Sequence, residues 1–325
     1  MPKKPSAPTT EQSNPASADM DALDTAAILR AIHAQDASVP AAVRAEIPNI
    51  AKAVEAVVKA LRRGGRLIYV GSGTSGRLGV LDAAECPPTF GVSRETIQAV
   101  IAGGTRALTH AAEAAEDDAR QGRRDLAARH VGPRDVVVGL TASGRTPYTL
   151  GAIRYARSRR AMTVAITSNP GSPITRLARI AIVPATGPEV IAGSTRMKAA
   201  LAQKMVLHMI STAAMIRLGR VYRNYMVGVR PTNRKLVERA CSIITKVTGC
   251  DHAAAARALR QAGQDARVAI VMLSTGFDRR ASERALARHN GNLRELLDTC
   301  EVRTASCAPE SRASDAGATV RDRAK

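Results

Sequence analysis

The sequence contains no tryptophan, and aromatic residues make up only 2% of its 325 positions. A chain so poor in rings builds its core from aliphatic side chains and methionine, and it has little with which to stack nucleic-acid bases. Cys86, Cys241, Cys250, Cys300 and Cys307 are an odd, scattered set without a C-x-x-C pair. That spacing argues against a zinc knuckle and against a disulfide framework. No apolar run approaches the roughly 20 residues of a membrane span, so no membrane partner is expected. The opening, MPKKPSAPTTEQSNPAS, lacks the apolar centre of a signal peptide, and a cytoplasmic protein is expected.

What the chain has in abundance is positive charge, +20 at neutral pH. The arginines are spread along the sequence instead of forming one strip, and no zinc-finger or RNA-recognition signature accompanies them. Nucleic acid is therefore not the expected partner. A solvated basic surface that steers anionic small molecules is the reading that remains.

The length allows one large core plus a smaller helical module. Residues 1–20 are rich in Pro, Ser and Thr and read as a disordered tail. Asp21 to Arg63 reads as helices, and Ile50, Val54, Val57, Val58 and Leu61 give one core-facing stripe. Five apolar runs follow, at 66–70, 97–101, 135–140, 162–166 and 180–183, with helical stretches around 106–129 and 147–159. Alternation of this kind predicts a parallel sheet covered on both faces, a three-layer αβα sandwich. A long helix is expected from Arg196 to Leu218, capped by Ser194 or Thr195, with Leu201, Met205, Met209, Thr212 and Ile216 facing inward. Residues 232–297 read as helices broken at Gly249, Gly276 and Gly291, and 299–325 as a polar disordered tail.

The first strand runs into Gly71-Ser-Gly-Thr-Ser-Gly76-Arg77, which satisfies G-x-G-x-x-G. A dinucleotide site would need an acidic residue near the end of the second strand, and Ile101-Ala-Gly-Gly supplies none. The third strand runs into a second hydroxyl-rich turn, Thr141-Ala-Ser143-Gly-Arg145-Thr146-Pro. Two such turns at one sheet edge would offer amides, helix N-termini and the hydroxyls of Thr74, Ser75, Ser143 and Thr146 to a single phosphate. A small phosphorylated ligand is expected.

Two acidic positions lie nearby. Glu85 precedes Cys86-Pro87-Pro88, which is expected to stop a helix and hold the carboxylate in a rigid turn. Glu113 and Glu116 are expected on one face of a helix. Removing a proton from carbon while protonating a leaving oxygen needs a base and an acid in neighbouring positions, which two carboxylates could supply. The pattern alone leaves each of them open as a surface residue.

The runs GSGTSGRLGVLDAAECPPTFGV, AAEAAEDD, VVVGLTASGRTPY, TSNPGSP and GPEVIAGSTRMKAALAQKMVLHMISTAAMIRLGRVY resemble the N-acetylmuramic acid 6-phosphate etherases over about residues 8–298. The resemblance implies a sugar isomerase (SIS) domain, a homodimer, and a sugar-phosphate substrate with no metal, nucleotide or other cofactor. It implies cleavage of a lactyl ether to N-acetylglucosamine 6-phosphate and D-lactate, with Glu85 as proton donor and Glu116 as the second catalytic glutamate, taken as the carbon-2 base. Ser72, Thr74, Ser75, Arg77, Ser143, Arg145, Thr146, Ser194 and Lys204 are the implied binding residues. The division expected on this basis is a SIS domain with its N-terminal helices over 21–240 and a helical, UBA-like domain over 241–298. Departures from the family pattern fall at Ala114, Ala200-Leu201, His208 and Gly228, the last replacing an acidic residue.

Overall fold

The computed structural model describes residues 8–231 and 233–306. The five apolar runs form β1 (Leu67–Gly71), β2 (Ile97–Ile101), β3 (Val136–Leu140), β4 (Met162–Ile166) and β5 (Ile180–Ile182). They pair in parallel, in the order β2-β1-β3-β4-β5. Both central strands are buried at every position because helices cover the two faces.

Eight helices belong to this layer structure: α1 (Thr25–Asp36), α2 (Val39–Ala45), α3 (Ile47–Arg62), α4 (Gly73–Phe90), α5 (Ala119–Ala128), α6 (Pro147–Ser158), α7 (Pro173–Leu177) and α8 (Lys198–Arg217). The two-residue period of the strands sorts the core. Tyr69, Val136, Val138 and Leu140 pack with Val57, Val206 and Ile210 from α3 and α8. Ile68, Val70 and Val137 turn the other way, onto Leu126, Tyr148, Ile153 and Ile174 from α5, α6 and α7. The expected αβα sandwich is thus the observed one.

A second core belongs to α9 (Arg234–Thr248), α10 (His252–Gln261), α11 (Ala266–Thr275), α12 (Arg279–Arg288) and α13 (Leu293–Ser306). Asx side chains cap four of these helices: Asn233, Asp251, Asp265 and Asp278 each accept from an amide of the first turn. Tyr222, Val227 and Val229 already belong to this cluster. A boundary at 240 would therefore cut α9, whose Ala240, Cys241 and Ile244 are core residues of the module. The tail expected over 299–325 is helical as far as Ser306, where α13 ends; positions 307–325, Cys307 among them, lie outside the described residues.

Three further expectations are corrected. Residues 8–20 are ordered: Thr10 is fully buried, and Asn14 donates to Gln35 at 2.8 Å. Their polar composition reads as disorder, yet the polar groups are bonded to the sheet edge. Pro87 and Pro88 do not end α4. They sit in its last turns, where few carbonyl partners are lost, and Gly91, at φ 65°, closes the helix with its N–H on Pro87 O at 2.9 Å. On α8 the expected inner stripe holds only in part: Met205 and Met209 pack against the core, while Leu201, Thr212 and Ile216 are exposed. Leu201 and Ile216 are 38% and 50% exposed, whereas Ala202, Val206, Leu207, Ile210 and Met215 are buried. A helix that is apolar almost all round has no single stripe for periodicity to find. Its 20 residues and mean hydropathy of 1.3 would suffice by length and composition to cross a membrane, but more than half of it is buried in this fold.

The approach to β1 is fixed by an ion pair. Arg66 donates Nη2 and Nε to Asp135 at 2.8 and 3.1 Å, and the amides of Arg66 and Gly132 donate to the same carboxylate. Burial pushes the Asp135 carboxyl up, but these donors outweigh it and hold it below the usual range. A lowered folded value means that the pair stabilises above the unfolded carboxylate range near pH 4 and fades as pH falls through the folded value. Asp135→Asn is expected to cost about 1–3 kcal/mol at pH 7, since it leaves donors underused. In denaturant unfolding the gap to wild type should shrink towards pH 3; an unchanged gap would mean that the charge contributes nothing.

Candidate active site

Order β2-β1-β3 places the topological switch between β1 and β3, the crevice where open α/β sheets take ligands. Both hydroxyl-rich loops leave the sheet there. At the first, Ser72 is extended and no side chain caps α4, so its first amides are left for an anion. Gly76 makes the turn possible: a Cβ there would stand 2.6 Å from Ile101 Cγ1 and 2.8 Å from Gly71 O. Thr74 and Ser75 are half-buried in the opening turn.

At the second loop Thr141 Oγ1 lies 2.9 Å from Thr146 Oγ1 and 3.4 Å from Ser143 Oγ. Ser143 Oγ accepts from Arg145 N at 3.2 Å, and the Arg145 side chain is exposed. Gly144 has φ +70°, and a Cβ there would strike Ser172, so this bend requires glycine. Thr146 precedes α6 without capping it, and Pro147 follows at the first helical position, where its missing N–H costs nothing.

Glu116 is brought to these loops. It lies on a short 3-10 turn, Glu113–Asp117, in place of the expected α-helix, and Ser72 Oγ donates to its Oε2 at 3.2 Å. Glu113, one turn earlier, is exposed. Arg77 serves the same connection: Nε and Nη2 donate to the carbonyls of Leu108 and His110, both at 3.1 Å, and so fix the path from β2 to Glu116.

Glu85 is elsewhere. It is exposed on α4 roughly 18 Å along the helix from Gly73, at about 1.5 Å per residue. A glutamate side chain cannot span that distance within one chain. Lys204 lies on α8, near enough to pull on the Asp82 and Cys86 ionisations, and so belongs to the α4–α8 seam instead of the loops. That seam is locked by a buried network. Tyr69 Oη and Ser211 Oγ donate to Asp82 at 2.8 and 3.1 Å. Burial pushes Asp82 up despite those donors, and pushes the Cys86 thiol up to about 12.

Sequence reasoning overlooked two features of this edge. Glu189 is fully buried and accepts from the amides of Lys198 and Ala199, both at 2.9 Å. It caps α8 in place of Ser194 and Thr195, and it could have been noticed as a carboxylate in the GPEV run just before an uncapped helix. The second feature is the N-terminal segment. Thr9 donates to Asn169 Oδ1 through its N–H and hydroxyl, at 2.6 and 2.7 Å, and Asn169 donates onward to Ala142 O at 2.8 Å. Gly193 N reaches Thr10 O at 2.9 Å, which ties the half-buried Ser194 and its connection to the Ser143 loop.

Known proteins match this chain over most of its length. The glucokinase regulatory protein N-terminal SIS domain matches residues 49–157, the SIS domain residues 110–213, and the C-terminal lid domain of glucokinase regulatory protein residues 223–269. An N-acetylmuramic acid 6-phosphate etherase from Salmonella dublin is 50% identical over 289 residues, 89% of this chain and 97% of that protein. One from Yersinia pestis is 51% identical over 288 residues, 89% of this chain and 98% of that protein. The chain belongs to the N-acetylmuramic acid 6-phosphate etherase family. A phosphosugar isomerase structure from Bacteroides fragilis, described as putative in its own name, is 19% identical with a TM-score of 0.46, over 60% of this chain and 91% of that one.

Within this etherase, the departures noted in the sequence have definite places. Ala114 lies in the 3-10 turn that carries Glu116, and Ala200 and Leu201 in the first turn of α8. His208 is on the outer face of α8, with Nδ1 2.8 Å from Lys204 O. Gly228 rests on the end of α4, where a Cβ would stand 2.4 Å from Phe90 O. A longer side chain at 228 would force that contact apart.

Proposed function

We propose that this chain cleaves the lactyl ether of N-acetylmuramic acid 6-phosphate with water, giving N-acetylglucosamine 6-phosphate and D-lactate. The observation that carries the reading is the pairing of two uncapped Ser/Thr loops at the switch point with a carboxylate, Glu116, hydrogen-bonded to Ser72. The phosphate sits on the loop amides and the hydroxyls of Ser143 and Thr146, which leaves the sugar within reach of Glu116. With the ring open, the carbon-1 aldehyde acidifies the carbon-2 proton, and Glu116 removes it. The carbon-3 oxygen bond breaks as Glu85 protonates the departing lactate, and water adds to carbon 3 of the unsaturated aldehyde while carbon 2 regains a proton.

Glu85 meets this site only if a second copy supplies it, so the reading includes a homodimer joined along α4 and α8. Leu81 on α4 and Leu201 and Ile216 on α8 support it, as large apolar side chains left exposed on the helices that border Glu85. The reading also takes the reaction to be cytoplasmic, which is supported by the charge of a sugar phosphate, since it keeps the substrate in the compartment where it is formed.

D-lactate release from N-acetylmuramic acid 6-phosphate by the purified protein is the direct test. Stoichiometric lactate is expected. Saturable binding of the sugar phosphate without lactate would replace the enzyme by a sugar-phosphate sensor, and an isomerised sugar without lactate by an aldose–ketose isomerase.

A further inference from the structure

A cavity of about 960 Å³ opens at the edge of the sheet opposite the Ser/Thr loops. The end of α3, the approach to β2 and the end of α8 form one wall, and the α10–α11 connection of the C-terminal module forms the other. Arg62, Arg220, Arg230 and Arg267 line it against a single carboxylate, Asp265. That carboxylate is already engaged. It accepts Nη2 and Nε of Arg267 at 2.8 and 3.3 Å and caps α11.

Arg220 is the anomaly. Its guanidinium is half-buried and has no hydrogen bond or ion pair among the described residues. Burial first, then Arg267 and Arg230, oppose its charge, and Asp265 offsets only part of this. A sheltered cation without a partner is costly, and elsewhere the fold avoids one, as Arg66 does with Asp135. The cavity that holds Arg220 is walled by two cores, that of the sheet domain and that of the C-terminal module.

We propose that the cavity is a second anion site, binding a phosphorylated small molecule with two or more negative charges between the sheet domain and the C-terminal module. Planar guanidinium forks match phosphoryl oxygens, and the volume falls in the range of small-molecule sites. Binding would clamp the two cores together at the end of α4, the helix that carries Glu85.

Inorganic pyrophosphate is the probe, titrated calorimetrically into the full chain carrying Ser143→Ala and Thr146→Ala, which removes two loop hydroxyls and weakens binding at the loops. One equivalent per chain is expected to bind, with a midpoint of thermal unfolding that rises with ligand. Adding Arg220→Gln should weaken binding about tenfold or more. If that variant fails to fold, Arg230→Gln, at an exposed position, decides alone through a loss of at least about threefold. No binding in that protein, or binding untouched by the arginine changes, overturns the proposal. So does displacement of pyrophosphate by duplex DNA, which would make the face a nucleic-acid surface.

Discussion

Glu116→Gln is expected to lower the turnover of N-acetylmuramic acid 6-phosphate by about a hundred- to ten-thousand-fold, the usual range for a positioned general acid or base. The change is isosteric, and an amide oxygen can still accept the Ser72 hydroxyl that Glu116 accepts now. Substrate affinity should therefore change little, so the loss falls on kcat and not on KM. Glu85→Gln should cost a similar factor. Its position is exposed on α4, so a loss of activity there would not be a loss of fold. Glu113→Gln is the control: exposed and outside the Ser72 contact, it should stay within about twofold of wild type, as a surface substitution does. Lactate release measured for the three variants decides the assignment. A damaged Glu113 variant beside an active Glu116 variant would mean that the wrong member of the acidic turn was chosen.

Much of this site was legible because strand ends and turn chemistry are local. Gly71–Arg77 and Thr141–Thr146 announce themselves by small and hydroxylated residues after β-branched runs, and the fold delivers both to one edge. The binding of Ser72 to Glu116 was not legible, since it joins positions 44 apart through a 3-10 turn that has no periodicity. The face of α8 was misread for a different reason. Where Leu201, Met205, Val206, Leu207 and Ile216 are all apolar, only the packing of α3 and α4 selects the buried side. Pro87 and Pro88 misled as well, because a proline stops a helix only where the lost bonds and the ring clash matter, and the last turns of α4 bear them.

The distance between Glu85 and Glu116 yields the sharpest expectation. One end of α4 starts at Ser72, which holds Glu116, and Glu85 lies roughly 18 Å down the same helix. If both act on one substrate, the two must come from different subunits of a two-fold dimer, each site taking Glu116 from one chain and Glu85 from the other. A heterodimer of Glu85→Gln and Glu116→Gln chains then contains one site with both glutamines and one with neither. Each homodimer should be nearly inactive, yet a heterodimer purified through two different affinity tags should regain about half of the wild-type lactate release. Were both carboxylates to act within one chain, every site in that heterodimer would carry one lesion, and activity would stay at the level of the homodimers. Recovery cannot arise from a structural repair, because neither substitution touches a core residue and each is an isostere. The same experiment also tests the α4–α8 face: charged residues placed at Leu81 and Leu201 should abolish both the dimer and the complementation.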